Sequence, residues 1–260
     1  MENKSKNFLL TPNKLLALIC YVFINFFGGS LILILLIAIF SAIKGCNFDS
    51  LYEIMTMAEV EAIPKEYLST YATIYSISNL LSYSLMAFFI VFYVRDDVVQ
   101  DFKSFISSRK IILFAIISSL LFYGITYLYS NVIIGNIVGD SENQLAIEAM
   151  ISNGGAIFMF ISVVFLAPIV EELIYRKSIF CLLNDKHVLV SYIVSSLAFA
   201  IPHMLTTSFE DPFKWLVLST TYLLSGILLC LIYHKSKYNV YTTIVVHMVN
   251  NLISFILIYG

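Results

Sequence analysis

Charge is what this 260-residue sequence has least of. Asp, Glu, Lys and Arg make up 12% of it, about half the share of a soluble domain, too few ionised groups to cover a water-facing surface. Nor is one sign in excess: 15 Lys and Arg against 17 Asp and Glu give a net charge of −2, so no basic footprint points to nucleic acid as a partner. The four cysteines, Cys20, Cys46, Cys181 and Cys230, lie far apart with no CxxC pair. That argues against a disulfide framework, a zinc knuckle or an iron–sulfur site, and reads them as small hydrophobes. With no internal repeat, low-complexity tract or long linker, residues 1–260 read as a single membrane domain.

What is abundant is apolar sequence, 60% hydrophobic with a mean hydropathy of +0.89. A spanning helix needs about 20 predominantly apolar residues, and seven stretches read as spans: residues 14–42, 70–94, 111–130, 156–180, 188–204, 213–234 and 239–260. The first is too long for a signal-peptide core of about 7–15 residues and has no small-residue cleavage pattern behind it, so it is expected to be retained. Twelve of the fifteen Lys and Arg fall in the N-terminus and in the alternate loops 95–110, 176–187 and 235–238. Cytoplasmic loops carry the positive excess, so the N-terminus is expected in the cytoplasm and the C-terminus outside. Among the acids, ten sort to the outer loops and five to the inner ones. Tyr67, Tyr71, Tyr75, Tyr93, Trp215 and Tyr233 lie near span ends and read as interfacial anchors. The absence of a targeting peptide and the Ile, Asn, Lys and Tyr usage of an AT-rich genome point to a bacterial plasma membrane.

The two acids left over, Glu171 and Glu172, are adjacent inside the fourth span. A carboxylate at the centre of a spanning helix costs about 2.5–3.5 kcal/mol on insertion scales, so a pair of them requires a partner or a task. At about 100° per residue Glu172 and Arg176 share a helix face one turn apart, whereas Glu171 points elsewhere. This splits the pair into a structural ion pair and a second carboxylate able to face a polar cavity and act as a general base. Pro168 cannot donate to the carbonyl of Val164, and a kink there would open such a cavity.

Two more spans carry polar residues. His203 follows Pro202 in the fifth, and His247 and Asn251 lie four apart on one face of the seventh, with Asn250 turned to a different side. His187 and His234, beside Lys186 and Lys235, read as solvated at the cytoplasmic edge. Counting about 1.5 Å per residue, His247 and His203 start at depths of about 12 and 22 Å in their spans. Kinks or unequal helix lengths are expected to reconcile them.

Glu171-Glu172-xxx-Arg176, Phe199-xxx-His203 and His247-xxx-Asn251, in that order on three spans, resemble the CPBP (CAAX protease and bacteriocin-processing, or Abi) family, related to the type II CAAX prenyl endopeptidases. The resemblance covers residues 155–260, which read as the core; residues 1–154 carry no motif of the family. It implies an all-α polytopic membrane protein of about seven transmembrane helices with a polar cavity in its C-terminal four-helix half. Members include intramembrane endopeptidases that remove the C-terminal tripeptide of prenylated CAAX proteins, and bacterial proteins linked to pheromone processing, bacteriocin maturation or self-immunity. By resemblance Glu171 would activate water, His203 would position it, and His247 with Asn251 would stabilise the oxyanion. Glu172, Arg176 and Phe199 would support the site.

The residue types fit hydrolysis, since no Ser-His-Asp arrangement is present and Asn and His are suitable oxyanion donors. The same atoms allow a zinc reading with Glu171, His203 and His247 as ligands, although HExxH is absent and the metal-free version is preferred. The expected partners are the lipid bilayer and a lipidated tail or membrane-associated peptide, not nucleic acid. A non-catalytic peptide-binding or immunity scaffold and a proton-coupled transporter remain as different classes. The transporter reading lacks the repeated polar site common in that class.

Overall fold

The computed structural model describes residues 11–57, 62–182, 187–205 and 209–259. Glu2, Lys4, Lys6, Glu59, Glu61, Asp185 and Lys186, which entered the charge count, lie outside the described residues. Among those described there is no strand. Among the described residues eight helices of eight residues or more are present: α1 (Pro12–Lys44), α2 (Phe48–Met55), α3 (Leu68–Ser107), α4 (Arg109–Val138), α5 (Glu142–Ile179), α6 (Val188–Met204), α7 (Pro212–Lys235) and α8 (Val240–Tyr259). All except the short α2 overlap the seven expected stretches; six of them are long and apolar enough to cross a membrane, and the fifth, α6, is a shorter apolar helix. The chain is an all-α polytopic membrane protein, and large apolar side chains such as Leu31, Ile43, Leu120 and Leu189 cover its outer surface, as lipid contact requires.

Helix limits follow local chemistry. Thr11 and Pro12 start α1, the threonine Oγ1 accepting from the Lys14 amide at 3.3 Å, and Gly45 ends it at φ 66°, a conformation that costs glycine little. Two stretches expected as loops are helical. Residues 95–107 continue α3 beyond a kink at Val94, because no Gly or Pro interrupts residues 65–123. Residues 131–155 are mostly helical as well, divided between the ends of α4 and α5. The fifth span, α6, is only 17 residues, or about 25 Å, shorter than the hydrocarbon core of about 30 Å.

α5 is the irregular element. It contains three π-helical stretches, Ile151–Gly155, Phe160–Leu166 and Leu173–Ile179, with non-helical angles at Asn153 and Gly154. Such widened turns change which side chains share a face, and they recur at functional sites. Small residues let α6 and α7 approach closely: a Cβ on Gly226 would lie 3.0 Å from the Ser196 backbone, the small-residue packing typical of membrane bundles.

Several charges assigned to cytoplasmic loops are instead buried between helices. Arg176 and Lys177 are fully buried in α5. Lys177 Nζ lies 2.7 Å from Asp101 of α3, and the same carboxylate accepts from the Val240 amide at 3.1 Å, capping α8. Lys14 is buried against Asp97 at 3.4 Å. Each is an ionic group taken out of water with its partner, as burial requires. Removing Arg176 and Lys177 from the count leaves the positive excess on the same side. Tyr71 and Tyr233 are buried rather than interfacial. His234 is half-buried, with Nδ1 3.1 Å from the Tyr192 hydroxyl, and only His187 of that pair is solvated.

Candidate active site

The Glu171–Glu172 pair divides as the helix geometry predicts. Glu172 is fully buried, its Oε2 3.2 Å from Arg176 Nε. Arg176 also donates from Nη1 to Ser195 Oγ at 3.4 Å, and its guanidinium lies 5.2 Å from the Phe199 ring centroid, within cation–π range. Less expected is the third partner of this group: His247 Nδ1 reaches Glu172 Oε1 at 3.2 Å. One carboxylate therefore ties α5 to itself and to α8, and fixes which ring nitrogen of His247 is left for the cavity.

Glu171 turns the other way, into a cavity of about 1160 Å³ that His203, His247 and Asn251 also line. Its Oε1 accepts from the Tyr83 hydroxyl of α3 at 3.0 Å. His203 Nδ1 donates to the Phe199 carbonyl at 2.9 Å, and its ring stacks on Tyr222 at 4.8 Å. The Phe199 ring stands 5.0 Å from the His203 ring and 6.0 Å from that of His247. The two histidines, expected at different depths, thus flank one aromatic ring, with a short α6 and an irregular α5 as the structural means.

Asn251 shows what Pro168 does. The Ala167 amide bonds to the Ser162 carbonyl in the π register, so the next amide in that register would meet the Val163 carbonyl. Residue 168 is proline and has no amide hydrogen to give. Asn251 Nδ2 donates to Val163 O instead, at 2.9 Å. The carbonyl freed by Pro168 is thus that of Val163 rather than Val164, because the helix there is wound five residues back and not four. Asn250 Nδ2 donates to Asn251 Oδ1 at 3.2 Å, while Asn250 Oδ1 accepts from Thr126.

The cavity is not confined to the C-terminal half. Tyr21 and Asn25 of α1, Asn79 and Tyr83 of α3, and Phe122, Thr126 and Asn131 of α4 line it as well. Tyrosines line it beside Glu171, with the Tyr21 and Tyr175 hydroxyls hydrogen-bonded to each other. Toward the other side it runs to Asp140, Ser141 and Gln144 at the start of α5 and to Ile258 near the end of α8. A signal for these residues exists in the sequence: Asn79 and Tyr83 are polar, four apart, and share a face of an otherwise apolar span. Replacing Tyr83 by phenylalanine removes the hydroxyl from Glu171 without changing the ring. Any reaction that depends on the Glu171 carboxylate should slow by about tenfold, the share of one hydrogen bond to a charged group, while the variant accumulates normally. Single-turnover rates on the purified variant are the check.

Glu171, His203 and His247 share the cavity without forming a ligand set. Among the described residues no three His, Cys, Asp or Glu side chains converge as a metal site requires. The donor arrangement does not fit zinc.

No curated protein and no solved structure matches the chain significantly. Residues 153–253 match the family model described as Rce1-like, type II CAAX prenyl endopeptidase, and the matched segment holds Glu171, Arg176, His203, His247 and Asn251 with the cavity wall they form. Over that segment the chain is similar to the Rce1-like family of CAAX-type membrane proteases.

Proposed function

We propose that this protein is an intramembrane endopeptidase that hydrolyses a peptide bond with water activated by Glu171. The substrate is the prenylated tail of a CAAX-type protein or a small membrane-associated peptide, such as a pheromone or bacteriocin precursor. The observation that carries the reading is a carboxylate turned into a membrane-embedded cavity beside two histidines and an amide, with its neighbour Glu172 bound separately to Arg176 and His247.

In this mechanism a water beside Glu171 gives a proton to the carboxylate as its oxygen attacks the carbonyl carbon. His203, held by the Phe199 carbonyl through Nδ1, orients that water with its other ring nitrogen. The carbonyl oxygen becomes an oxyanion and is met by His247 and Asn251. His247 meets the oxyanion through Nε2, while Glu172 holds its Nδ1. Asn251 uses one amide hydrogen on Val163 and keeps the second for the oxyanion. Glu171 then delivers its proton to the departing amine, which leaves an acid and an amine as products. Donors fixed in advance and shielded from bulk water are the arrangement that stabilises such charge.

The test is cleavage of a quenched fluorescent prenylated CAAX peptide and of a bacterial precursor peptide by detergent-purified protein, with and without a zinc chelator. Turnover indifferent to chelator is expected. Loss of turnover to chelator would overturn the metal-free mechanism. If neither peptide is cut, and Glu171→Gln and His203→Ala leave the cellular phenotype intact, the protein is a binding or immunity scaffold.

The orientation is part of the proposal and is separately testable. Cys46, just beyond the end of α1, is exposed, whereas Cys181 and Cys230 are buried. With the N-terminus in the cytoplasm, Cys46 lies on the outer face. A membrane-impermeant maleimide should label it in intact cells and lose the signal in Cys46→Ser. Labelling only after lysis reverses the topology.

A further inference from the structure

The cavity has charge of one sign. Histidines and tyrosines aside, the ionisable side chains on its wall are Asp140, Glu148 and Glu171, and among the described residues no Lys or Arg lines it. The two cations nearest the site in sequence are directed elsewhere, Arg176 to Glu172 and Ser195, Lys177 to Asp101. The wall is also rich in acceptors. Asn79 Oδ1 is buried without a hydrogen-bond partner, in a cavity whose peptide occupant would supply donors. An orphaned buried acceptor costs about 1–3 kcal/mol, so a ligand N–H that reaches it removes that cost on binding. Asp140 stands exposed at the mouth, and Glu148 accepts from Gln144 at 2.8 Å through one of its two oxygens.

These features bear on the peptide end as well as on its side chains. A substrate cut near its C-terminus brings a terminal carboxylate into the site, and among the described residues this wall holds no ammonium or guanidinium to receive it. A peptide carrying Lys or Arg beside the scissile bond finds carboxylates at the mouth and the orphan acceptor on the wall. The apolar share of the lining, with Phe26, Phe122, Leu229 and Phe255 among it, suits the hydrophobic part of a membrane-associated chain.

We propose that the substrate is a cationic peptide segment that enters through the mouth formed by Asp140 and Glu148, rather than one recognised by its terminal carboxylate. The inference rests on the hydrolytic reading of the site and narrows its substrate class. With the N-terminus in the cytoplasm the mouth opens on the outer face, where further acids sorted to outer loops, such as Asp49, Glu53 and Glu142, extend the same field. Complementary charge of this kind raises encounter rates and discriminates partners.

The experiment uses the full chain reconstituted in phosphatidylcholine vesicles, whose zwitterionic surface does not itself concentrate cations. The probes are quenched fluorescent peptides of one apolar sequence in which the residues flanking the central bond are Lys, Gln or Glu, each made with a free C-terminus and with a C-terminal amide. Both cleavage and binding, by fluorescence anisotropy, are read. The Lys peptide is expected to exceed the Glu peptide by about tenfold or more in kcat/KM and in affinity, to prefer the amide end, and to lose most of its advantage as ionic strength rises. Asp140→Asn with Glu148→Gln should reduce the Lys preference to about twofold. If the peptides are cut with no charge preference, or with preference for Glu or for the free carboxylate, the charge proposal falls while hydrolysis stands. If the Lys peptide binds selectively and is not cut, the hydrolytic reading falls and the cationic class stands. If none binds selectively, the charge proposal fails on binding alone, and the wild-type comparison decides this even where the double variant does not accumulate.

Discussion

Glu171→Gln is expected to lower peptide hydrolysis by about 10²–10⁴-fold, the range contributed by a positioned general base, while the protein still accumulates in the membrane. The amide is the same size and can still accept from the Tyr83 hydroxyl, which lies 3.0 Å from Oε1 in the native protein, so the packing of α3 on α5 is kept. What is lost is the ability to take a proton from water. The measurement is turnover of a quenched peptide by purified variant, set beside immunoblots of membrane fractions. Wild-type turnover in the variant would remove Glu171 from the mechanism, and a scaffold would tolerate the change in cells.

Glu172 should behave differently, because its carboxylate serves the structure as well as the site. Glu172→Gln strands Arg176, which has no exposed surface and keeps only Ser195 and two aromatic rings. A buried charge left without its partner costs about 3–5 kcal/mol, enough to unfold a marginal protein, so the variant is expected to be largely absent from the membrane. Arg176→Met should be milder, since Glu172 retains His247 at 3.2 Å. The double replacement Glu172→Gln with Arg176→Gln removes both charges and should recover accumulation. It should not recover hydrolysis, because His247 has lost the carboxylate that orients it. Thermal stability of the detergent-solubilised variants, followed by size-exclusion chromatography, gives the order. If Glu172→Gln is as stable as the native protein, Arg176 has another anion and the pair is not what holds this part of α5.

Tyr83 sits on a span where the sequence reading placed no part of the site. Its effect depends on α3 packing beside α5, and no local pattern states which two helices will be neighbours. The same holds for His247. Its spacing to Asn251 is legible as one helix face, yet its bond to Glu172 joins residues 75 positions apart. Pro168 could be read as a break in the fourth span, but the position of the freed carbonyl depended on a π turn whose register is set by packing around it.

The sequence by itself determined the membrane class, seven apolar helical stretches of which six are long enough to span, and the pairing of Glu172 with Arg176. These are consequences of short-range physics: about 20 apolar residues cross a bilayer, and residues four apart share a helix face. It also placed Glu171, His203, His247 and Asn251 among the few polar groups that lipid would not tolerate unpartnered. Only the tertiary structure decided that these face one cavity, that the first three spans supply Tyr21, Asn79, Tyr83 and Thr126 to its wall, and that the wall holds carboxylates and, among the described residues, no Lys or Arg. It also turned Arg176 and Lys177, two cations counted as loop residues, inward onto buried carboxylates. Contacts between helices depend on rotation, depth and π register, and in an apolar chain many rotations bury similar area. The polar bonds that select among them appear only when the helices are together.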